Sequence, residues 1–289
     1  MTDERRITSQ TKVLCLIGHP VEHSMSPTMW NPALQELGLD FVYVAFDVLP
    51  ANLKSAINGM RTLGIIGMNV TIPYKEAVIQ YLDEIDPTAE KMGTINTIKN
   101  ENGVLKAKNT DAEGARRSLI EKNCEISGKN IIIIGSGGVS RSIAYILAEE
   151  VNKIVLTDLI KDKAIIAAKE IKNNMDVDIE GKLNTPNTIK SDIANADILI
   201  NATPVGMHPN VNDTPISKDL LHKDLFVFDV VYNPLETRLM REASELGCNT
   251  LGGLDMLVNQ GVLAFEWWIN KKPNKDLMKN KIIEYLGLV

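Results

Sequence analysis

The sequence predicts an α/β chain of two domains, the first built on a mostly parallel sheet and the second on a doubly wound one. Three observations carry this. Short apolar runs of strand length alternate with longer stretches of helical spacing, the pattern that places helices on the faces of a parallel sheet. The alternation pauses near residue 112 and restarts with a more apolar run. The length, 289 residues, suits two domains of ordinary size better than one small core.

Taken in order, residues 12–18 (KVLCLIG) read as a short buried strand and residues 26–37 as a helix. Residues 41–47 (FVYVAFD) read as a second strand, 50–63 as a helix, and 67–72 (GMNVTI) as a third strand broken by Pro73. Residues 94–99 and 104–108 flank Asn102-Gly103, a strong hairpin signal. The pattern then restarts with residues 129–134 (KNIIII), a continuous apolar strand. A glycine turn, a helix over about 140–150 and a strand at 153–157 complete a βαβ unit. Residues 197–201 and 225–230 supply later strands, and from Asp255 onward the chain reads as helical throughout. The expected domains are therefore 1–111, joined by C-terminal helices 255–289 that pack back on it, and 112–254.

Composition narrows the function. Hydrophobic residues make up 44% and charged residues 24%, the balance of a globular protein with a sizeable core. A net charge of -6 argues against nucleic acid, whose phosphates are bound by clustered Lys and Arg, and directs attention to a small-molecule ligand. Cys15, Cys124 and Cys248 lie far apart with no CxxC spacing, so neither zinc nor a disulfide framework is expected. The four histidines lack metal-ligand spacing, and no metal is expected. A polar start and the lack of any run near ~18 apolar residues predict a cytoplasmic protein without a membrane span.

Two turns suggest a dinucleotide. Gly135-Ser136-Gly137-Gly138-Val139-Ser140-Arg141 follows a buried strand and opens a helix, so backbone N–H groups and the positive helix end face the place where a pyrophosphate would sit. The third glycine is not in its usual place in G-x-G-x-x-G, and a plain strand-to-helix turn uses similar residues. About twenty residues further on, the next strand ends at Asp158, where a carboxylate can accept both hydroxyls of an adenosine ribose; a solvated strand end is the alternative. Residues 201–207 (NATPVGM) would likewise present backbone at the carboxyl edge of a sheet, as would a structural turn. The second domain thus reads as a Rossmann-like doubly wound nucleotide-binding domain, and the first as an α/β substrate domain.

Lys75 follows a strand end in residues 69–75 (NVTIPYK), where a loop side chain can point at a ligand; a surface charge is the bland alternative. Asp111 directly precedes the expected domain boundary, and Thr110 or Asp111 could equally cap a helix over 112–122.

At this point the chain resembles the shikimate dehydrogenases and their quinate-using relatives over nearly its whole length. The resemblance is carried by residues 18–27 (GHPVEHSMSP), 69–75, 93–97 (GTINT), 109–111 (NTD), the Gly135 loop, 201–207, 229–234 (DVVYNP) and 253–260 (GLDMLVNQ). It implies that Ser24 and Ser26 hold a substrate carboxylate, helped by Thr71 and Tyr232. It implies that Asn96, Asp111 and Gln260 bind ring hydroxyls, and that Lys75 is the general acid/base, with Asp111 as its catalytic partner. The implied cofactor site comprises Gly135, Ser136, Gly137, Gly138, Val139, Asp158, Leu159, Asn201 and Thr203, with Val230 and Gly253 against a nicotinamide.

Members of that family using NADP commonly carry Asn-Arg-Thr where this chain has Asp158, Leu159 and Ile160, which implies NAD, with NADP possible through Lys161 or Lys163. Ser26 resembles the residue of shikimate-preferring members, whereas quinate-using relatives carry Thr. Two residues depart from the pattern: Ala112 and Asp255 stand where the family commonly has Gly. The resemblance leaves three readings: a shikimate dehydrogenase, a quinate or dual enzyme, and a non-catalytic dinucleotide-sensing module, against which the presence of both Lys75 and Asp111 counts. A monomer or homodimer is expected.

Overall fold

The computed structural model describes residues 7–287 and contains two six-stranded sheets with interleaved helices. The chain divides into a first compact unit that runs to Thr110 and resumes at Gln260, and a second that spans Asp111–Asn259.

The first unit contains β1 (Lys12–Gly18), α1 (Ser26–Glu36), β2 (Phe41–Asp47), α2 (Leu53–Thr62), β3 (Gly67–Val70), β4 (Glu84–Ile85), α3 (Pro87–Met92), β5 (Thr97–Glu101) and β6 (Val104–Lys108). Its strand order is β2-β1-β3-β5-β6-β4. β1 pairs in parallel with β2 and β3, and β4 with β6, while β3–β5 and β5–β6 are antiparallel. The expected hairpin is present, with Asn102 and Gly103 both at positive φ as a primed turn requires. Leu53, Ile57 and Met60 recur at helical spacing on α2 and bury their side chains against this sheet with Cys15, Met68 and Ile98.

The second unit contains α4 (Thr110–Glu121), which begins at the division, then β7 (Asn130–Ile134), α5 (Gly138–Leu147), β8 (Lys153–Asp158), α6 (Lys161–Asn174), β9 (Asp178–Leu183), α7 (Pro186–Ala194), β10 (Ile198–Asn201), β11 (Phe226–Asp229), α8 (Arg238–Glu245) and β12 (Asn249–Gly252). The order is β12-β11-β10-β7-β8-β9, parallel throughout. That is a doubly wound sheet whose order reverses between β7 and β10. Ligands of such sheets bind outside the carboxyl ends of the strands at this switch point. The Gly135 loop leaves β7 there, and residues 201–207 begin where β10 ends.

The chain ends in α9 (Gly253–Ile269) and α10 (Lys275–Tyr285). The C-terminal helices expected over 255–289 are present, but not helical throughout: Asn270 has φ 55 and Pro273 follows, so the chain turns between the two helices. Residues 94–96 precede β5 and are not part of it.

Candidate active site

In the first unit the candidate residues cluster on the loops that leave β1 and β3. Gly18 has no room for a side chain, since a Cβ there would lie 2.4 Å from Thr71 Cγ2. The two loops are also stitched together by hydrogen bonds: Thr71 N donates to Ile17 O at 2.9 Å and His19 N to Ile72 O at 3.0 Å. The loop after β1 then carries Ser24, whose hydroxyl accepts from Ser26 N at 3.3 Å, and Ser26, 7% exposed, opens α1.

Lys75 sits on backbone held from both sides. Tyr74 is buried with its hydroxyl donating to Val48 O, Tyr74 N donates to Thr71 O at 2.9 Å, and Ile95 N donates to Lys75 O at 2.7 Å.

A buried polar network runs behind these loops. The Tyr43 hydroxyl donates to Asn69 Oδ1 at 2.7 Å. Asn69 Nδ2 in turn donates to Asn96 O and Thr97 Oγ1, each at 3.1 Å. Asn96 Oδ1 accepts from Thr110 N at 2.7 Å, and its Nδ2 donates to Thr110 Oγ1 at 2.9 Å. Asn96 therefore satisfies the first N–H of α4, where Thr110 is the opening residue and Asp111 the second. A chain of satisfied polar groups so connects Tyr43 to the residue before Asp111.

In the second unit Gly135 has φ 104, and a Cβ there would press on Ala202 O and Thr203 Cγ2 at 3.0 Å, so glycine is needed for the Gly135 loop to meet the loop after β10. Gly137 caps α5, and nothing lies within 4 Å of where its Cβ would be, which leaves the N–H groups of the helix start open to close approach. Asp158 ends β8. Its Oδ2 accepts from Ser136 Oγ at 2.6 Å and its Oδ1 from Ile160 N at 2.9 Å. Burial opposes its ionisation, but these bonds and nearby Lys163 outweigh it and hold the carboxyl below its ordinary range.

The loops after β10 and β11 share one buried acid. Asp229, fully buried, accepts from Asn201 Nδ2 at 2.9 Å, Val231 N at 3.1 Å and Thr237 Oγ1 at 2.7 Å. Burial still pushes its carboxyl up to about 6 against those donors. Asn201 Oδ1 in turn accepts from Thr203 N and Oγ1. Gly253 is forced by a close approach, because a Cβ there would lie 2.0 Å from Val230 O. Val230 and Gly253, both expected against a nicotinamide, are thus packed together. Tyr232, half-buried, has its phenol pushed up by burial.

This donor set fits a dinucleotide: open helix-start N–H groups for phosphates at the topological switch, and a carboxylate for a ribose at the end of β8 beside β7. Among the described residues no group of three or more His, Cys, Asp or Glu is placed to hold a metal ion.

Comparison with known proteins decides the family. A model of the shikimate dehydrogenase substrate binding domain matches residues 16–98, and one of the shikimate 5'-dehydrogenase C-terminal domain matches residues 253–283. The chain is 47% identical over 279 residues to the shikimate dehydrogenase (NADP(+)) of Methanocaldococcus jannaschii, covering 96% of this chain and 98% of the relative. The chain belongs to the shikimate dehydrogenase family. A shikimate dehydrogenase solved in complex with NADP+ superposes with a TM-score of 0.91 at 45% identity, covering 97% of this chain and 98% of that one. The shikimate 5-dehydrogenase of Listeria monocytogenes, solved with shikimate and NAD, gives 0.89 at 38% identity, covering 96% and 98%. Membership makes the protein a nicotinamide-dinucleotide oxidoreductase of α/β fold.

Of the residues expected to bind substrate, Ser24, Ser26, Thr71, Lys75, Asn96 and Gln260 lie in the first unit, and Asp111 and Tyr232 in the second. The two departures are accommodated: Ala112 is buried within α4 and Asp255 lies in the first turn of α9, where an acid complements the helix start. Sequence reasoning missed Tyr43, and gave Asn69 and Asp229 no role although both lie in the motifs it singled out. The signal was there in part, since a polar residue inside an apolar strand (GMNV, FVFD) must find a buried partner.

Proposed function

We propose that the protein is a shikimate dehydrogenase that interconverts 3-dehydroshikimate and shikimate and prefers NAD to NADP. The observation that carries the cofactor preference is the Asp158 carboxylate, held ionised at the end of β8 with Leu159 and Ile160 exposed beside it. A carboxylate accepts hydrogen bonds from both ribose hydroxyls but repels a 2′-phosphate. Two unit charges ~4 Å apart interact by about 1 to 4 kcal/mol between water and a partly screened surface, or roughly 5- to 1000-fold in preference. The relative from Methanocaldococcus jannaschii is named for NADP(+), so this chain would differ from it at the ribose.

The bound dinucleotide supplies the hydride in one direction and takes it up in the other. The chain supplies the proton. As negative charge develops on the ketone oxygen, the Lys75 ammonium donates to it, and neutral Lys75 accepts the proton in reverse. Asp111 binds a ring hydroxyl with Asn96 and Gln260, while Ser24, Ser26, Thr71 and Tyr232 hold the carboxylate. The test is steady-state turnover of shikimate and quinate with NAD and NADP. The expected result is a higher kcat/KM for shikimate and for NAD. Equal or greater efficiency with quinate would make the protein a dual or quinate enzyme, a preference for NADP would remove the ribose role of Asp158, and binding without turnover would favour a sensor.

A further inference from the structure

The carboxylate at the end of β8 is not free to choose its orientation. One oxygen is fixed by Ser136 Oγ at 2.6 Å and the other by Ile160 N at 2.9 Å. Ser136 is 4% exposed, so little water competes for its hydroxyl. Its backbone is fixed in turn. Gly135 before it has φ 104, with its N donating to Thr157 O at 2.7 Å, and Arg141 Nε donates to Ser136 O at 3.3 Å. Arg141 itself pairs with Glu170 of α6 at 3.0 Å. The Gly135 loop therefore reaches the neighbouring strand through the Gly135 backbone and, in addition, through the Ser136 side chain, at a position where a bare phosphate loop needs only backbone.

We infer that Ser136 is a positioning residue for cofactor choice: its hydroxyl holds the Asp158 carboxylate toward the ribose and so sets the balance between NAD and NADP. The inference rests on the proposed reading of Asp158. A carboxylate has about four acceptor sites, so the bonds from Ser136 and Ile160 leave room on both oxygens for two ribose hydroxyls. The charged groups acting on Asp158 are Lys163 directly and, through the Ser136 carbonyl, Arg141 with its partner Glu170. With the Ser136 hydroxyl removed, the carboxylate keeps the Ile160 bond and the pull of the Ser136 backbone but is oriented less firmly. NAD then loses an oriented acceptor, while the repulsion toward a 2′-phosphate relaxes.

Four proteins test this: wild type, Ser136→Ala, Asp158→Asn and the double variant, each assayed for kcat and KM with both NAD and NADP. A hydrogen bond to a charged group contributes about 1.5 to 3 kcal/mol, only part of which is differential between the cofactors. Ser136→Ala is expected to lower the NAD-to-NADP ratio of kcat/KM by about three- to tenfold, through the KM for NAD and not through kcat. In the Asp158→Asn background the same change is expected to leave the ratio unaltered, the coupling that marks two residues acting as one. If Asp158→Asn shifts the ratio and Ser136→Ala does not, the positioning role is overturned while the reading of Asp158 stands. If Ser136→Ala shifts the ratio equally in both backgrounds, Ser136 acts on the dinucleotide directly and the inference also fails. If Asp158→Asn leaves the ratio unchanged, the reading of Asp158 falls and takes the inference with it.

Discussion

Lys75 owes its position to its neighbours more than to its own side chain. Tyr74 buries its ring and ties its hydroxyl to Val48, and Ile95 N grips the Lys75 carbonyl, so the side chain starts from a fixed Cα and is itself only partly exposed. Such anchoring is what a proton donor requires, because a misplaced donor contributes little in the transition state. Lys75→Ala is expected to lower kcat by ~10²- to 10⁴-fold, the usual range for a lost general acid/base, with a much smaller change in KM for shikimate. Steady-state rates in both directions measure it, and a near-normal kcat would take Lys75 out of the mechanism. The residue type and strand-end place of Lys75 could be read in the sequence. The anchoring could not, since Val48 and Ile95 come to Tyr74 and Lys75 only through the fold.

At the scale of elements, Asp229 is the joint between two loops. It terminates β11, bonds Asn201 at the end of β10, and bonds Thr237, which caps α8. Its folded-state pKa is about 6 against an ordinary value of 3.8, so between those values the native protein holds more proton than the unfolded chain. The sign follows: this stabilising contribution is fully present below pH 3.8 and is lost as pH rises through about 6. The shift corresponds to about 3 kcal/mol. Asp229→Asn removes the charge, so its stability relative to wild type, from urea unfolding, should improve by about 2 to 3 kcal/mol between pH 4 and pH 7. A difference that stays constant with pH would mean that Asp229 is not the group that titrates. The strands themselves were legible wherever apolar runs were long, as in residues 129–134. β9 (DIEGKL) and β12 (NTLG) were not, because polar residues and glycine give no run to see. Gly181 in β9 would meet Ala164 C and O at 2.3 Å with a Cβ, so it is there for α6 to pack close, a reason visible only once α6 is in place.

For the whole molecule, the order of the chain makes unequal demands on the two units. The second is continuous, Asp111–Asn259, and contains all six strands of its sheet with an apolar core on each face. The first is interrupted, and what returns after the interruption is part of its core. Trp30 stacks on Tyr43 at 4.9 Å and on Phe265 at 5.1 Å, with Trp268 at 5.0 Å, and Gly67 is required because a Cβ would lie 2.4 Å from the Trp268 ring. Met278 and Ile282 of α10 are fully buried as well. An aromatic side chain buries about 150 to 250 Å², or roughly 4 to 6 kcal/mol at ~25 cal/mol per Å², so losing Phe265 and Trp268 together removes as much as a typical net stability of about 5 to 15 kcal/mol. Residues 111–259 expressed alone are therefore expected to unfold cooperatively in urea. Residues 1–110 alone should show no cooperative transition, and a chain ending at 259 should show only the transition of the second unit. Far-UV circular dichroism against urea for the three chains decides it. A cooperative transition in residues 1–110 would mean that the first sheet and its helices are stable without the C-terminal aromatic residues, and that α9 and α10 cover a core they do not complete.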